Sequence, residues 1–228
     1  STEYRPGEEL GNYYGYECLG IINDEKTLDE YKKLENVAPQ IALGDLMYKD
    51  QNGDGRLDYL DNVKLGNWNT KNSFGLNLGL GYKGFDLQVF FQGAFNVDKQ
   101  ISGNTRTSFH NFWSPDANQL DRWTEENRNA DALYPRLRKE YSHNTDPMSS
   151  FWVKSASYIK LKNLQIGYNF PQSFTSKIRV KTLRLYVSGT NLFTIAPDFL
   201  DGYDPEGDMK PDIYPTLRVY SIGLNVNF

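Results

Sequence analysis

The feature that most constrains this chain is a strict alternation of apolar residues with small polar ones. From Phe74 to Tyr82 every second residue is apolar or aromatic, and the residues between them are Gly or Asn. A period of two places successive side chains on opposite faces of a β-strand, so this segment predicts a strand with one apolar face. The pattern resumes from Phe85 to Asn96 after a short turn at Gly84, which predicts a β-hairpin.

Similar alternation elsewhere predicts an all-β fold of about six antiparallel strands. Tyr158–Phe170 has the least regular phase, because Lys160 and Lys162 would share a face with Leu164 and Ile166. A β-bulge, or a strand end near an interface, would account for this irregularity. The further predicted strands, the first of them the weakest, are Asn12–Ile22, Tyr158–Phe170, Leu183–Ile195 and Tyr220–Phe228.

The two faces of these strands differ in a way that is typical of an outer-membrane β-barrel. One face is apolar with aromatic residues near its ends, and the other consists of Gly, Ser, Asn and Gln. A soluble sheet usually carries more charge on its outer face, and glycine inside its strands weakens it. The mean hydropathy of -0.65 does not argue against a barrel, because alternating strands average to a polar value.

The connections between the predicted strands alternate between short and long, as periplasmic turns and extracellular loops do in bacterial barrels. If Phe228 ends on the periplasmic side, the long connections are extracellular, and so is the segment of about residues 23–71. Within these loops, helical patterns predict helices at Glu25–Leu34 and Ser114–Asn127. In chain order, the short and long connections are Tyr82–Phe85, Asn96–Tyr158, Phe170–Thr182 and Ile195–Tyr214.

An acidic motif, DQNGDGRLDYLD, lies in the predicted extracellular segment and matches the spacing of an EF-hand calcium loop. Gly55 stands where the loop must turn sharply, and Asp61 stands where an EF-hand usually has Glu. Calcium takes six to eight oxygen ligands, and this loop can offer about that many. The alternative is an acidic surface turn without a metal. The predicted calcium ligands are Asp50, Asn52, Asp54, Asp58, Asp61 and the carbonyl group of Arg56.

Composition argues against several other functions. The net charge of -4 and the scattered Lys and Arg residues argue against nucleic acid as a partner. The lone Cys18 excludes an intramolecular disulfide and is predicted to be a buried or half-buried thiol. His110 and His143 lack ligand spacing and are predicted to be solvated loop residues. We find no constellation for a catalytic nucleophile, so the chain is not expected to be an enzyme.

Several aromatic residues fall in the predicted outer loops and are candidates for binding a substrate or partner. Aromatic rings can stack on sugars or dock a protein, and the alternative is that they pack within the loops or form interfacial belts. The candidates are Trp113, Trp123, Tyr134, Trp152 and Tyr203.

The motifs together resemble the C-terminal part of the SusC/RagA-like TonB-dependent outer-membrane transporters of Bacteroidetes. The resemblance covers nearly all of the chain, and it departs from the family pattern at GNWNTKNSFG, where the family usually has prolines around Trp68 and Thr70. The segments that carry it are GNYYGYECLGIINDEKTLDEYKKL, GDLMYKDQNGDGRLDYLDNVKLGN, FGLNLGLGYKGFDLQVFFQG, SASYIKLKNLQIGYNFP, LRLYVSGTNLFTI and YPTLRVYSIGLNVNF.

This resemblance implies that residues 1–228 form the C-terminal portion of a 22-stranded transmembrane β-barrel. It implies active import of glycans or peptides across the outer membrane of a Gram-negative bacterium. TonB would supply the energy through an N-terminal part, and a SusD-like surface lipoprotein would be the partner. The other partners would be the remaining barrel strands, the plug and lipid. The alternative is a secreted, calcium-stabilised β-sandwich binding module, which would refold without detergent.

Overall fold

The computed structural model describes residues 5–109, 114–138, 142–196, 202–207, 214 and 216–228. The fold is all-β with mostly antiparallel strands and few helices, as the alternation predicted. The described residues divide into two compact units. The sheet unit lies within residues 70–96, 156–197 and 214–228, and the loop unit lies within residues 1–69, 97–155 and 198–213.

Eleven strands occur in the described residues, with two short α-helices, α1 (Glu25–Tyr31) and α2 (Gln172–Thr175). No helix in the described part of the chain is long and apolar enough to span a membrane. The strands are β1 (Asn12–Tyr16), β2 (Cys18–Ile21), β3 (Leu46–Tyr48), β4 (Asn62–Asn67), β5 (Asn72–Tyr82), β6 (Phe85–Phe95), β7 (Asp98–Gln100), β8 (Val153–Ser155), β9 (Tyr158–Asn169), β10 (Thr182–Ile195) and β11 (Val219–Asn227).

The sheet unit is one five-stranded antiparallel sheet with the strand order β11-β10-β9-β6-β5. Its register matches the faces that the alternation predicted. On one face Leu185 pairs with Leu224, and the polar residues Arg184 and Asn225 pair on the other face. The same separation runs across the sheet to β5, where Leu78 pairs with Val89.

The apolar face of the sheet is exposed in the described structure. Ile222 is 80% exposed and Leu80 is 68% exposed. Soluble proteins rarely leave a continuous apolar surface of this extent, so the face requires a nonaqueous surrounding or a partner. Its large exposed residues include Phe74, Leu76, Leu78, Leu80, Tyr82, Phe85, Phe95, Ile166, Leu185, Val187, Phe193, Ile195, Tyr220, Ile222, Leu224 and Val226.

A β-bulge explains the irregular phase of β9. Phe90 of β6 faces Asn163, and the next residue, Phe91, faces Leu161, so Lys162 is the extra residue on β9. The bulge returns Leu161 to the apolar face and assigns Lys160 to the polar face. The expectation of a bulge is therefore confirmed.

The chain leaves the sheet alternately by short and by long connections. The tight turn between β5 and β6 and the link from β9 to β10 lie at one end, where Asn227 also pairs with Thr182. The connections β6–β9 and β10–β11, together with the segment that precedes β5, depart from the opposite end. The alternation of connection lengths is thus reproduced within the sheet unit.

The loop unit has its own hydrophobic core. Ile22, Leu46 and Trp152 are fully buried there, and Tyr48 and Ile101 are nearly so. Leu28 and Tyr31 of α1 pack into the same cluster. Asp24 caps α1 by accepting a hydrogen bond from the backbone N–H of Thr27, and the predicted helix at Glu25–Leu34 is thereby confirmed in a shorter form.

Two sequence predictions need correction. The predicted strand Asn12–Ile22 is split into β1 and β2, which pair with β4 and β3 in separate two-stranded sheets, so the large sheet has five strands. The predicted helix Ser114–Asn127 is only a 3-10 turn at Ala117–Leu120, capped by Asp116. The segment therefore does not form an α-helix.

Candidate functional site

The polar face of the sheet carries an ion pair that bridges three strands. Asp86 of β6 accepts hydrogen bonds from Nε of Arg184 on β10 at 2.9 Å and from its Nη2 at 2.5 Å. Asn169 of β9 donates to the same carboxylate at 3.0 Å. A bidentate pair of this kind fixes geometry as well as charge, because both guanidinium nitrogens are used at once.

Two glycines of this face make room for side chains from neighbouring strands. A Cβ atom on Gly167 would lie 2.5 Å from Nη2 of Arg184 and 2.6 Å from Oδ2 of Asp86. A Cβ atom on Gly223 would lie 2.2 Å from Cζ of Tyr186. Close approach of a neighbouring side chain is one of the reasons that strands contain glycine. At these two positions, glycine therefore has a local steric cause in addition to the polarity of the face.

The acidic loop is held by its own side chains. Asp50 accepts hydrogen bonds from the backbone N–H groups of Gly53 at 2.7 Å and Gly55 at 2.9 Å. Both glycines have a positive φ, 74° and 80°, which few other residues adopt without strain. Asp61 is fully buried and accepts from the backbone N–H groups of Gln51 and Asp58.

The other predicted calcium ligands also accept bonds from nearby backbone groups. Asn52 accepts from the N–H of Asp54, Asp54 from that of Arg56, and Asp58 from that of Leu60. The donor set is all oxygen, which suits a hard cation, and each oxygen keeps a further lone pair. Among the residues that the structure describes, no three His, Cys, Asp or Glu side chains gather into a ready-made metal cluster.

A buried carboxylate that sequence reasoning missed organises the loop unit. Asp45 is fully buried and forms an ion pair with Arg138, whose Nε donates at 3.1 Å. Nδ2 of Asn144 donates to the same carboxylate at 2.9 Å, and Oδ1 of Asn144 accepts from the backbone N–H of Leu46. The network joins segments about a hundred residues apart, and no local pattern signals such a contact.

His143 is half-buried, so its prediction as a solvated residue was wrong. Its Nε2 lies 3.1 Å from the carbonyl oxygen of Leu46 and 3.3 Å from the hydroxyl oxygen of Tyr31. Its ring packs against that of Tyr48, with centroids 4.7 Å apart. Burial lowers the pKa of His143 below its usual value, and Asp45 opposes this shift. His110 lies outside the described residues.

Cys18 is a free, half-buried thiol, as predicted. Burial raises its pKa to about 11, so almost none of it is thiolate at neutral pH. A reactive or metal-ligating role for this cysteine therefore has no support.

The candidate aromatic residues lie mostly inside the loop unit. Trp152 is fully buried, and its Nε1 donates to the carbonyl oxygen of Asn144 at 2.6 Å. Trp123 and Tyr134 are also buried, and Trp123 donates to Oδ1 of Asn23. Their ring faces are not open to a sugar, and this burial fits the alternative that they pack within the loops.

The other two aromatic candidates are Tyr203 and Trp113. Tyr203 is partly buried; its hydroxyl donates to Asp116 at 2.6 Å and lies 2.7 Å from Oγ1 of Thr105. Trp113 lies outside the described residues.

Comparison with known proteins gives one consistent result. TonB-dependent receptor P3 of Formosa agariphila is 31% identical over 98% of this chain, and the match covers 23% of that protein. TonB-dependent receptor SusC of Bacteroides thetaiotaomicron is 25% identical over 80% of this chain and 17% of its own length. No protein-family model matches the chain.

The fold is also found in a solved structure. The structure of the RagAB peptide transporter aligns with a TM-score of 0.66 over 95% of this chain and 23% of that one, at 22% identity. The chain thus spans about a quarter or less of the length of each of these three proteins. The resemblance inferred from the sequence motifs is confirmed.

Proposed function

We propose that this chain, which is related over nearly its whole length to the SusC/RagA-like TonB-dependent receptors, forms part of the barrel wall of an outer-membrane nutrient importer. The observation that carries the proposal is the exposed apolar face of the five-stranded sheet, opposite a face of small polar residues. Lipid outside and water inside is the arrangement that such a sheet requires.

The edges of the sheet support a larger barrel. Among the described strands, β5 and β11 each pair on one side only. Long unpaired edges invite aggregation in water, and closure into a barrel removes them. The remaining strands of a longer protein, 22 in all by the family resemblance, would supply these pairings together with a plug.

The sidedness follows from the connections. The short links lie at the end of the sheet where β11 finishes, so that end is periplasmic in the proposed topology. The long connections, including the acidic loop within residues 23–71, are then extracellular. A SusD-like surface lipoprotein would meet this side, and TonB would act from the periplasm through another part of the longer protein.

The cargo is a nutrient, of the glycan or peptide class that the family resemblance implies. One solved relative is described as a peptide transporter, and other relatives are described only as TonB-dependent receptors. Nothing in the described residues resembles a catalytic site, and transport alone is proposed.

A deletion strain tests the proposed function. The gene for the longer protein would be deleted and restored with an epitope inserted at the exposed Glu126 in the long connection between β6 and β9, and growth on defined glycans and peptides would be compared. We expect one nutrient class to require the gene and the epitope to bind antibody on intact cells. An epitope reached only after the outer membrane is broken would contradict the sidedness.

We also propose that the acidic loop binds calcium as a structural ion. Support comes from the ligand spacing, the all-oxygen donor set and the two turns at Gly53 and Gly55. The ligands would be Asp50, Asn52, Asp54, Asp58, Asp61 and the carbonyl of Arg56. Calorimetric titration of the purified protein with Ca²⁺, beside an Asp50→Ala/Asp54→Ala variant, tests this. Equal heats for the two proteins would contradict it.

A secreted β-sandwich is the weaker alternative. A sandwich needs a second sheet packed on the apolar face of the first. Among the described strands, the other sheets have two strands each and belong to the loop unit, and the large sheet keeps its apolar residues exposed. This favours the barrel.

A further inference from the structure

The sheet unit and the loop unit carry charge of opposite sign. The sheet unit contains nine Lys and Arg residues and one acidic residue, whereas 28 of the 29 acidic residues of the chain lie in the loop unit. The acidic residue of the sheet unit is Asp86, and Arg184 already pairs with it. A surface with charge of one sign attracts partners of the opposite sign. The places where the remaining cations gather are therefore candidate sites for an anionic partner.

Exposed cations gather on the connection between β9 and β10, which runs through residues 170–181. This connection contains no acidic residue. Its basic side chains form no ion pair with any residue that the structure describes, so an anion can bind them without displacing another partner. The exposed cations of the connection are Lys177, Arg179 and Lys181.

The turn between β5 and β6 adds a fourth cation beside this connection. The backbone N–H of Asn169, at the end of β9, donates to the carbonyl oxygen of Gly84 in the turn at 2.7 Å. Lys83 precedes Gly84, and its Nζ lies 5.1 Å from the ring centroid of Tyr82. The turn and the connection together form a basic rim at the short-link end of the sheet. The basic rim consists of Lys83, Lys177, Arg179 and Lys181.

A row of aromatic rings leads from the apolar face of the sheet to the basic rim. Phe85 and Tyr168 pair on the apolar face, and their ring centroids are 4.6 Å apart. The ring of Phe170 lies 5.1 Å from that of Tyr168 and 5.3 Å from that of Phe174. Phe174 is 45% exposed and Ile178 is 49% exposed. Aromatic rings beside long basic side chains are typical of the boundary between lipid tails and headgroups.

The basic rim does not depend on the open edges of the sheet. Three of its four cations lie on the connection between β9 and β10, and both of these strands pair with a neighbour on each side. Further strands of a longer protein would add beyond β5 and β11, at the two edges. The connection between β9 and β10 would therefore keep its place at the end of the sheet in the extended barrel.

Building on the proposed barrel, in which the short links are periplasmic, we propose that the basic rim binds anionic phospholipids of the periplasmic leaflet. The cations would hold the phosphate group, and Phe174 and Ile178 would contact the acyl chains. Arginine can donate two N–H groups to one phosphate, and lysine acts as a point charge. A phospholipid matches both the charge and the exposed apolar side chains, whereas a soluble anion would match only the charge.

Native mass spectrometry of the purified full-length protein in detergent tests the proposal. The probes are phosphatidylglycerol and phosphatidylcholine with the same acyl chains, together with glycerol 3-phosphate. We expect phosphatidylglycerol to bind about tenfold more tightly than phosphatidylcholine, because each basic residue near an anionic lipid contributes to affinity. Equal binding of the two lipids would overturn the proposal. Glycerol 3-phosphate that binds as tightly as phosphatidylglycerol would also overturn it, because the site would then recognise a free phosphate.

A pair of triple variants locates the site. The test variant replaces the three cations of the β9–β10 connection with glutamine, and the control replaces three exposed lysines at or just after α1 in the loop unit. Both variants lose three positive charges. We expect about tenfold weaker binding of phosphatidylglycerol in the test variant alone, with phosphatidylcholine unchanged. Unchanged binding in the test variant, or equal weakening in the control, would overturn the assignment. The substitutions are K177Q, R179Q and K181Q in the test variant and K26Q, K32Q and K33Q in the control.

The lipid proposal and the proposed function can fail separately. The epitope at Glu126 reports the sidedness of the barrel and does not involve the basic rim. An epitope that binds antibody on intact cells, together with no preference for phosphatidylglycerol, would reject the lipid site alone. An epitope reached only after the outer membrane is broken would reject the topology on which both proposals rest.

Discussion

The sheet unit and the loop unit differ in the exposure of their apolar side chains. In the loop unit Trp152 and Ile22 are fully buried, whereas in the sheet Ile222 is 80% exposed. Both units contain regular hydrogen-bonded strands, so secondary structure does not explain the difference. The two units therefore fold against different surroundings. The loop unit has its own buried hydrophobic core, and the sheet needs a nonaqueous surrounding or a partner on its apolar face.

Polar groups show the same contrast. The loop unit buries Asp45 completely and satisfies it with Arg138 and Asn144. The sheet keeps its Asp86–Arg184 pair on the polar face, partly exposed. A buried ion pair is costly to break, whereas a pair beside water matters more for the charge that the surface presents.

The largest effect is expected from removing the buried carboxylate of the loop unit. Asp45→Ala should destabilise this unit by about 3–5 kcal/mol, because Arg138 and Asn144 lose their partner, as does Arg136, whose Nε lies 3.6 Å from Asp45. Hydrogen exchange of the full-length protein would show lost protection in α1 and β3 with the sheet unchanged. Asp29→Ala, on the exposed side of α1, is the control and should have little effect. Retained protection in α1 would contradict the role of Asp45.

Charge on the apolar face should have the next largest effect. Leu224→Arg should destabilise the barrel in lipid by about 2–4 kcal/mol if the residue lies near the bilayer midplane. Asn225→Arg, one residue along on the opposite face, should reduce the stability of the barrel much less, because in the proposed barrel this residue faces water. Urea unfolding in lipid vesicles measures both variants. Similar losses of stability in the two variants would show that the two faces do not meet different surroundings.

The close packing over the glycines predicts a smaller effect. Gly223→Val should cost about 1–3 kcal/mol, because its Cβ would collide with the ring of Tyr186. Tyr186→Ala removes this ring, so Gly223→Val should destabilise the Tyr186→Ala variant less than it destabilises the wild type. A double-mutant cycle in the same unfolding assay measures the coupling. Simple additivity would show that the ring and the glycine are independent.

The smallest effect concerns pH and separates the two units again. The pKa of His143 is lowered in the folded loop unit, so its contribution to stability is complete above its ordinary pKa and is lost as pH falls below it. Protection of β3 against hydrogen exchange should therefore decrease between neutral and mildly acidic pH. His143→Gln should reduce this dependence. An unchanged pH profile in the variant would assign the effect to another group.

Sequence pattern predicted the sheet well because its signal is local. The alternation fixed β5, β6, β9, β10 and β11 to within a few residues, and the broken phase at Lys162 correctly indicated a bulge. Each of these strands has one apolar face and one polar face, so its own residues report the surroundings of each face.

The loop unit was less predictable because its contacts are remote in sequence. Asp45 and Arg138 meet across a long stretch of chain, and neither belongs to a motif. The sequence around the aromatic residues does not indicate whether they are buried or exposed, because Trp and Tyr are common in both environments. The Ser114–Asn127 pattern predicted an α-helix, but the segment forms only a 3-10 turn, because tertiary context overrides propensity.

The central claim is that one face of the sheet meets lipid and the other meets water, and spin-label accessibility tests it most directly. Labels would be placed at Leu224→Cys and Asn225→Cys in a Cys18→Ser background of the full-length protein in vesicles. The account predicts that the label at position 224 collides mainly with molecular oxygen, which concentrates in lipid. The label at position 225 should collide mainly with a water-soluble nickel chelate. Equal nickel accessibility at both positions, or the reverse pattern, would contradict the barrel wall.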